Sequence, residues 1–418
     1  MNWQAYDPTW AFHTALRARA ARWQRRQQIG SEQLLSIEAA YPLPYYQPGW
    51  PVRVALFIFT WIALVMAGSI LALFLAIPFS KFLSLSNSEM VHPIGLLFIL
   101  LCFAALEQLI RKRRFYHAST DTALLYAGLG IGSALLADAY FTGSGHTFFT
   151  VEESTTHYFA ANGFVPLTLG LLLMLAAAVR YADVLATAVA CGAAGLLVPE
   201  CALTIPSVVP LLPFLLMATA GAAWLGSRAV GLRLSGTALA DYYAACLRVV
   251  KLLALTVFYL SGNYLVVREG YESLYSYQPT QNPFAPLFWA FTAIVPLLYL
   301  WWGLRRGDRP TLLLGMLALA FSLFTLRHYR SVLPPEIASV AGGLLLTVAA
   351  GALLRFLRPV RIGLTSLPDD EPRHFSLETL IQAQTAHAPG APVVEGFSTE
   401  GVAFGGGHSG GGGATGAF

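Results

Sequence analysis

Charged residues are scarce in this chain, and so are the motifs of most soluble enzymes. Asp, Glu, Lys and Arg make up 11% of the 418 residues, against roughly 25% in ordinary soluble domains. The sequence contains no phosphate-binding Gly-x-x-x-x-Gly-Lys loop and no His-Glu-x-x-His zinc motif. It therefore predicts no catalytic residue, no metal site and no cofactor.

Cysteine is also rare. The four cysteines, Cys102, Cys191, Cys201 and Cys246, all lie in or beside apolar stretches. Only Cys201 is predicted near the outer face of a membrane, so the sequence does not indicate a disulfide framework.

Long apolar stretches, in contrast, are abundant, and 56% of the residues are hydrophobic. A hydrocarbon core about 30 Å thick requires roughly 20 apolar residues per helix. Backbone groups in lipid must bond within the segment, which favours helices over open strands. Ten such stretches lie near 54–78, 93–110, 122–141, 160–179, 183–201, 208–228, 247–267, 284–304, 310–326 and 336–357. The predicted fold class is therefore an all-α transmembrane bundle of about ten spans.

The basic residues indicate how these spans are oriented. If the N-terminus is cytosolic, 22 of the 26 Lys and Arg residues lie in inner segments. The outer loops hold only Lys81, Arg268, Arg327 and Arg330. The positive-inside rule then places both termini in the cytosol. Attraction to anionic lipids accounts for the net charge of +4, so we expect no nucleic-acid partner.

The chain is predicted to have three regions: a cytosolic segment at 1–51, a ten-helix membrane domain at 52–357 and a cytosolic tail at 358–418. In the first region, Asp7 before Pro8 predicts the start of a helix, because Asp caps helices and Pro is tolerated in the first turn. Gly30 is expected to end this helix, and Ser31 to cap a second one that reaches about Ala40.

The first helix is basic and amphipathic. We expect four arginines and one tryptophan to contact the membrane surface: Arg17, Arg22, Arg25, Arg26 and Trp23. The alternative is a solvated helix packed on the inner loops.

A short motif precedes the first span. Ile29-Gly30-Ser31-Glu32-Gln33, then Ile37 and Tyr41-Pro42, resembles a bacterial family of polytopic membrane proteins of unknown function, in which a short helical leader precedes the spans. The resemblance covers about 40 residues. It implies a multi-pass protein of the bacterial inner membrane and brings no site residues with it.

The tail ends in a glycine-rich run, 405–418, which also resembles the ends of several uncharacterised bacterial membrane-protein families. Such a run buries too little apolar surface to order by itself. One hypothesis is a docking peptide whose terminal Phe418 is held by a protein partner. The alternative is a flexible spacer.

Ionisable residues at the outer ends of three spans are candidates for a ligand site, because polar groups at membrane depth are costly. Asp138 and Glu200 follow similar small-residue patterns 62 positions apart, which indicates either an internal repeat or close helix packing. Arg327, His328 and Arg330 are predicted at the same depth. Together the five residues would form an outward-facing vestibule.

The outer loop 142–158 contributes further polar residues to this hypothesis, namely His146, Glu152, Glu153 and His157. Their spacing fits no standard zinc pattern. We therefore interpret them as surface polarity rather than as a metal site.

Two other polar positions have simpler interpretations. Glu107 stands four residues before Arg111, so a helical ion pair accounts for it. Ser261, Gly262 and Asn263 are expected to loosen the seventh span or to bond to a neighbouring helix.

Two function classes agree with these features. The first is a non-catalytic envelope accessory or scaffold protein whose cytosolic ends recruit partners, and the absence of charge at mid-bilayer favours it. The second is a carrier of a small polar or anionic solute, favoured by the helix count and the hypothetical repeat. An intramembrane enzyme is the third and weakest interpretation.

Overall fold

The computed structural model describes residues 3–83, 91–144, 164–203, 205, 207–274 and 284–329, together with parts of 340–355. The chain divides into two compact units, Met1–Glu371 and Pro372–Phe418. All the described residues belong to the first unit. Most of loop 142–158, Arg330 and the tail with Phe418 lie outside the described residues.

The described helices follow the apolar pattern of the sequence closely. They are α1 (Pro8–Arg25), α2 (Ser31–Ala40), α3 (Trp50–Leu83), α4 (Val91–Arg113), α5 (Thr120–Ser144), α6 (Phe164–Tyr181), α7 (Val184–Leu203), α8 (Leu212–Leu234), α9 (Ala238–Gly262), α10 (Tyr264–Leu274), α11 (Ala285–Arg306) and α12 (Arg309–Tyr329).

Nine of the helices in the described ranges are long and apolar enough to cross a membrane, namely α3 to α9, α11 and α12. Large apolar side chains cover their surfaces; Phe74 is 70% exposed and Leu317 is 69% exposed. Such surface is stable only against lipid or another protein. The all-α multi-pass fold is thus confirmed, whereas the tenth span, predicted at 336–357, falls largely outside the described residues.

The N-terminal helices begin as local capping chemistry requires. The Asp7 carboxylate accepts a hydrogen bond of 3.0 Å from the backbone N–H of Thr9. At α2 the sequence interpretation is off by one residue, because Gly30 occupies the cap position. Its N–H donates to Oε1 of Gln33 at 3.0 Å, and Ser31 is the first helical residue.

Neighbouring helices pair as hairpins: α4 with α5, α6 with α7, α8 with α9 and α11 with α12. The backbones of the last pair approach each other closely. A Cβ added at Gly303 would lie 2.8 Å from the backbone nitrogen of Leu312, and one at Gly315 would lie 2.9 Å from that of Leu300. Only glycine permits so close an approach of two backbones.

Helix α9 lies at the centre of the bundle, where it packs against α1, α7, α8, α10, α11 and α12. It ends at Gly262, five residues before the end of the predicted span. Asn263 is fully buried and donates from Nδ2 to the Tyr259 hydroxyl at 3.1 Å. Its Oδ1 accepts from Thr325 at 3.2 Å and from the backbone N–H of Leu265 at 3.0 Å. The Asn263 side chain is therefore hydrogen-bonded to its neighbours at the point where α9 ends.

The two ends of the bundle differ in charge. We define the basic end as the one at which α4, α6, α8 and α11 finish and α5, α7, α9 and α12 begin. The last turns there carry Arg111, Lys112, Arg113, Arg180, Arg233, Arg305 and Arg306. We call the opposite end the far end.

Candidate functional site

The N-terminal segment is bound to the basic end through the last turn of α6. Arg180 donates from Nη1 to the backbone oxygen of Trp3 at 3.0 Å. The backbone oxygen of Arg180 accepts from the N–H of Ala5 at 2.8 Å and from the Tyr242 hydroxyl at 2.7 Å. These bonds fix the start of the chain to α6 and α9 at once.

Glu107 holds the Arg180 side chain in place. Its Oε1 accepts from Nη2 of Arg180 at 2.6 Å, from Nε at 3.0 Å and from the Tyr181 hydroxyl at 3.0 Å. Oε2 pairs with Nε of Arg111 at 3.3 Å. The predicted helical ion pair is thus confirmed, but the stronger partner is Arg180, a residue 73 positions away.

Two carboxylates lie buried beside this contact, and we call Tyr6, Asp121, Tyr126 and Asp183 the carboxylate site. Tyr6 is 3% exposed and donates from its hydroxyl to Oδ2 of Asp121, which is fully buried, at 2.7 Å. Tyr126 donates to Oδ2 of Asp183 at 3.0 Å. Asp183 also caps α7, accepting from the N–H of Ala186 at 2.7 Å.

Tyr6 and Tyr116 remain protonated at neutral pH. Burial raises the pKa of Tyr6 well above its ordinary value, and the charge of Asp121 raises it further. Burial likewise raises the pKa of Tyr116 to about 12, with smaller contributions from Tyr45 and Asp241. The protonated Tyr6 hydroxyl is the form that donates to the buried Asp121 carboxylate.

His117 is the titratable base of this region. Its ring lies 4.9 Å from that of Tyr6 and 4.8 Å from that of Tyr116, measured between centroids. Burial lowers the pKa of His117, although the charges of Asp121 and Asp183 oppose that shift.

The connections at this end adopt strained backbone conformations. Among the described non-glycine residues, positive φ angles occur at Arg114 (52°), His117 (46°), Ser119 (80°) and Ala182 (49°), and at Gln27 (55°) in the turn after α1. Left-handed backbone costs free energy for residues with a Cβ and persists only where surrounding contacts hold it. The strain is concentrated in the two loops that precede Asp121 and Asp183.

Further contacts extend the binding of the N-terminal segment along α1. Arg19 pairs with Asp241 of α9 at 2.6 Å. Arg17 pairs with Glu38 at 3.2 Å, which fixes α2 against α1. One ring nitrogen of His13 lies 2.9 Å from the backbone oxygen of Pro42.

The proline-rich stretch after α2 packs on the same loop. The N–H of Tyr46 donates to the backbone oxygen of Arg114 at 2.9 Å, and the N–H of Tyr116 donates to that of Tyr46 at 3.3 Å. The rings of Trp10, Tyr45 and Tyr116 are in mutual contact, with centroids 4.9 to 6.0 Å apart. The segment 3–49 is therefore packed onto the bundle rather than attached only at its end.

The two carboxylates of the carboxylate site accept hydrogen bonds from within the chain. Both carboxylates lie at helix N-termini, where the helix dipole stabilises negative charge. No group of three His, Cys, Asp or Glu residues in the described ranges is placed to hold a metal ion.

Sequence reasoning missed Tyr6, Asp121 and Asp183. The available signal was an acidic residue at the inward start of two apolar spans, a typical capping position.

The described residues of the predicted far-end vestibule lie on three helices, α5, α7 and α12. Oδ2 of Asp138 lies 3.3 Å from Nε2 of His92, a residue of α4 that the sequence did not single out. Glu200 is buried, 3% exposed, in α7. Arg327 and His328 end α12, which packs on α11 and α9. A vestibule formed by all of these residues stays a prediction.

The residues predicted to contact the membrane surface are on α1, which packs on α9 at the basic end. Trp23 is 42% exposed, and Arg25 and Arg26 are exposed. One face of α1 therefore packs on α9. Contact of the other face with lipid stays a prediction.

Comparison with known proteins adds no family to this description: no protein family, curated protein or solved structure matches the chain. The resemblance of residues 29–42 to a leader-bearing bacterial family stays a prediction.

Proposed function

We propose that the chain is a non-catalytic scaffold protein of the bacterial inner membrane, whose cytosolic N-terminal segment forms a rigid platform for a protein partner. The supporting observation is the binding of residues 3–49 to the bundle through Arg180, Asp121 and Asp241. A flexible leader would not require a fully buried carboxylate in its contact.

Helix α2 is the face of this platform that the partner would use. None of its residues is buried, and Leu35 is 65% exposed. An apolar side chain displayed on a fixed helix is a common anchor for a partner protein. The polar face with Glu32 and Ser36 keeps the surface soluble when the partner is absent.

Crosslinking in cells tests this proposal. A photo-reactive amino acid at position 35 should give one discrete adduct with another protein. The matched control is position 235, which lies exposed at the same end in the α8–α9 connection. Adducts absent at 35, or equal at both positions, would rule out a platform on α2.

The C-terminal tail provides a second, independent test of the scaffold proposal. Deleting residues 404–418 should remove a co-purifying protein if Phe418 is held by a partner. An unchanged set of co-purifying proteins would leave the tail as a spacer.

A carrier of a small polar or anionic solute is the second candidate, and the burial of Glu200 favours it. An ionisable group in an apolar span is a functional suspect because its insertion costs a few kcal/mol. Glu200→Gln should abolish any solute-dependent rise in the unfolding temperature, whereas the exposed Glu272→Gln should not. If no solute stabilises the purified protein, the carrier has no support.

A further inference from the structure

A cavity of 620 Å³ opens at the basic end between α8, α9, α11 and α12, and we call it the basic cavity. Its basic lining residues are Arg228, Arg248, Lys251, Arg306 and Arg309. Asp308 is the acidic residue of the lining, and it pairs with Lys251 and accepts from the Thr311 hydroxyl at 2.6 Å. The lining therefore contains five basic residues and one acidic residue.

Two of these arginines are available to a ligand. Arg228 and Arg248 are exposed, and within the described ranges neither forms an ion pair. Arg306 lies over the ring of Trp302, 5.1 Å from its centroid, which orients its guanidinium. Guanidinium groups bind phosphate oxygens in bidentate fashion and are less strongly hydrated than ammonium groups. The chemistry that fits the cavity is a phosphate group.

A second cavity of 370 Å³, the apolar cavity, continues from the first along α8, α9 and α11. The two share Trp224, Lys251 and Trp302 in their linings. Gly221 and Leu255 are among the apolar residues of the second cavity. The basic cavity places cations at the membrane surface, and the apolar cavity extends from it toward the membrane interior. Together they match the shape of a lipid, whereas a soluble anion would not occupy the apolar cavity.

We propose that the basic and apolar cavities together bind one anionic phospholipid, with its phosphate among the arginines and an acyl chain beside Gly221. Trp224 and Trp302 lie at the boundary between the two parts, with ring centroids 5.8 Å apart. Tryptophan favours the level of the lipid headgroups. Basic pockets between membrane helices are known lipid sites in general. This inference does not depend on the proposed scaffold function.

Charge substitution in the full-length detergent-solubilised protein tests the headgroup half. The probes are dioleoylphosphatidylglycerol, dioleoylphosphatidylcholine and inorganic phosphate, followed by unfolding temperature and by native mass spectrometry. The anionic lipid should stabilise the wild type, and Arg228→Gln with Arg248→Gln should weaken its binding roughly 30-fold. The matched control is Lys112→Gln with Arg113→Gln, which removes two exposed charges from the same end outside the cavity.

Cavity filling tests the acyl half without removing charge. A Cβ added at Gly221 or at Gly226 meets no atom within 4 Å, so either position accepts a larger side chain. Gly221→Leu fills the apolar cavity and should weaken binding of the anionic lipid at least tenfold. Gly226→Leu, on the same helix but outside the lining, should leave it unchanged.

Three results would overturn the proposal. Equal losses in the two charge-removal pairs would show a general surface effect. Stabilisation by inorganic phosphate equal to that by the lipid would show a small-anion site. Unchanged lipid binding in Gly221→Leu would show that no acyl chain occupies the apolar cavity.

Discussion

The hydroxyl of Tyr6 donates a 2.7 Å hydrogen bond to Asp121, a residue 115 positions later in the chain. Both side chains are buried, at 3% and 0% exposure. This bond joins the N-terminal segment to α5, the third of the apolar helices. It accounts for a carboxylate that would otherwise lie in an apolar environment at a cost of several kcal/mol.

Tyr6→Phe tests how strongly this bond holds the N-terminal segment. The substitution leaves a buried carboxylate oxygen without its donor, which costs about 1–3 kcal/mol. We expect faster hydrogen–deuterium exchange of the backbone amides of α1. The control is Tyr46→Phe, which removes the hydroxyl of a residue that is 46% exposed. Equal exchange in both variants would mean that other contacts hold the segment.

Acidification should loosen the same contact through His117. Its pKa lies below the ordinary value of about 6.5 in the folded protein, so the unfolded chain takes up the proton first as the pH falls. The contribution of His117 to the free energy of unfolding is therefore fully present above about pH 6.5. It decreases below that pH, by at most about 1.4 kcal/mol per pH unit. Asp121, Asp183 and Arg53 are the charges that face this ring.

His117→Asn should remove that part of the acid sensitivity between pH 7 and pH 5, as measured by thermal unfolding. Asn is chosen because it tolerates the positive φ of this position. His328→Asn, at the exposed end of α12, is the control and should retain the wild-type pH profile. A profile unchanged in His117→Asn would exclude His117 as its source.

Gly315→Ala should destabilise the α11–α12 hairpin. The added methyl would lie 2.9 Å from the backbone nitrogen of Leu300, and backbone cannot move aside cheaply. We expect a loss of about 1–3 kcal/mol in the free energy of unfolding. Gly192→Ala in α7 meets no atom within 4 Å and should be neutral or gain up to about 1 kcal/mol. Equal stabilities would contradict the close approach.

Cysteine labelling tests the predicted orientation. In a cysteine-free background, Ser36→Cys should react with an impermeant maleimide only after the cells are permeabilised. Glu272→Cys, at the far end, should react in intact cells. A cysteine at position 409 should behave like the one at 36 if the number of spans is even. Opposite behaviour of 36 and 409 would require an odd number.

The helices were the most predictable part of this protein. Apolar stretches of about 20 residues have one stable form in lipid, so the span near 122–141 appears as α5 and the one near 183–201 as α7. Local capping chemistry also predicted the start of α1 at Asp7 and Pro8. The polar triplet Ser261 to Asn263 was expected to loosen the seventh span or to bond to a neighbouring helix, and Asn263 does bond to Thr325 of α12.

The candidate site was not predictable in the same way. Asp121 and Asp183 look like ordinary capping residues, and Tyr6 like an unremarkable residue before a helix. The arginines of the basic cavity were recognised only as inner-face charges. Their grouping depends on how α8, α9, α11 and α12 pack, which periodicity does not encode.

The sequence by itself determined that the chain enters the membrane and which segments do so, because the transfer of apolar residues from water to lipid depends on composition and length alone. Only the tertiary structure decided that the N-terminal segment packs on the bundle and that its tyrosine meets a distant aspartate. The Tyr6–Asp121 bond joins residues 115 positions apart, and the free energy of such contacts depends on a geometry that no local pattern contains.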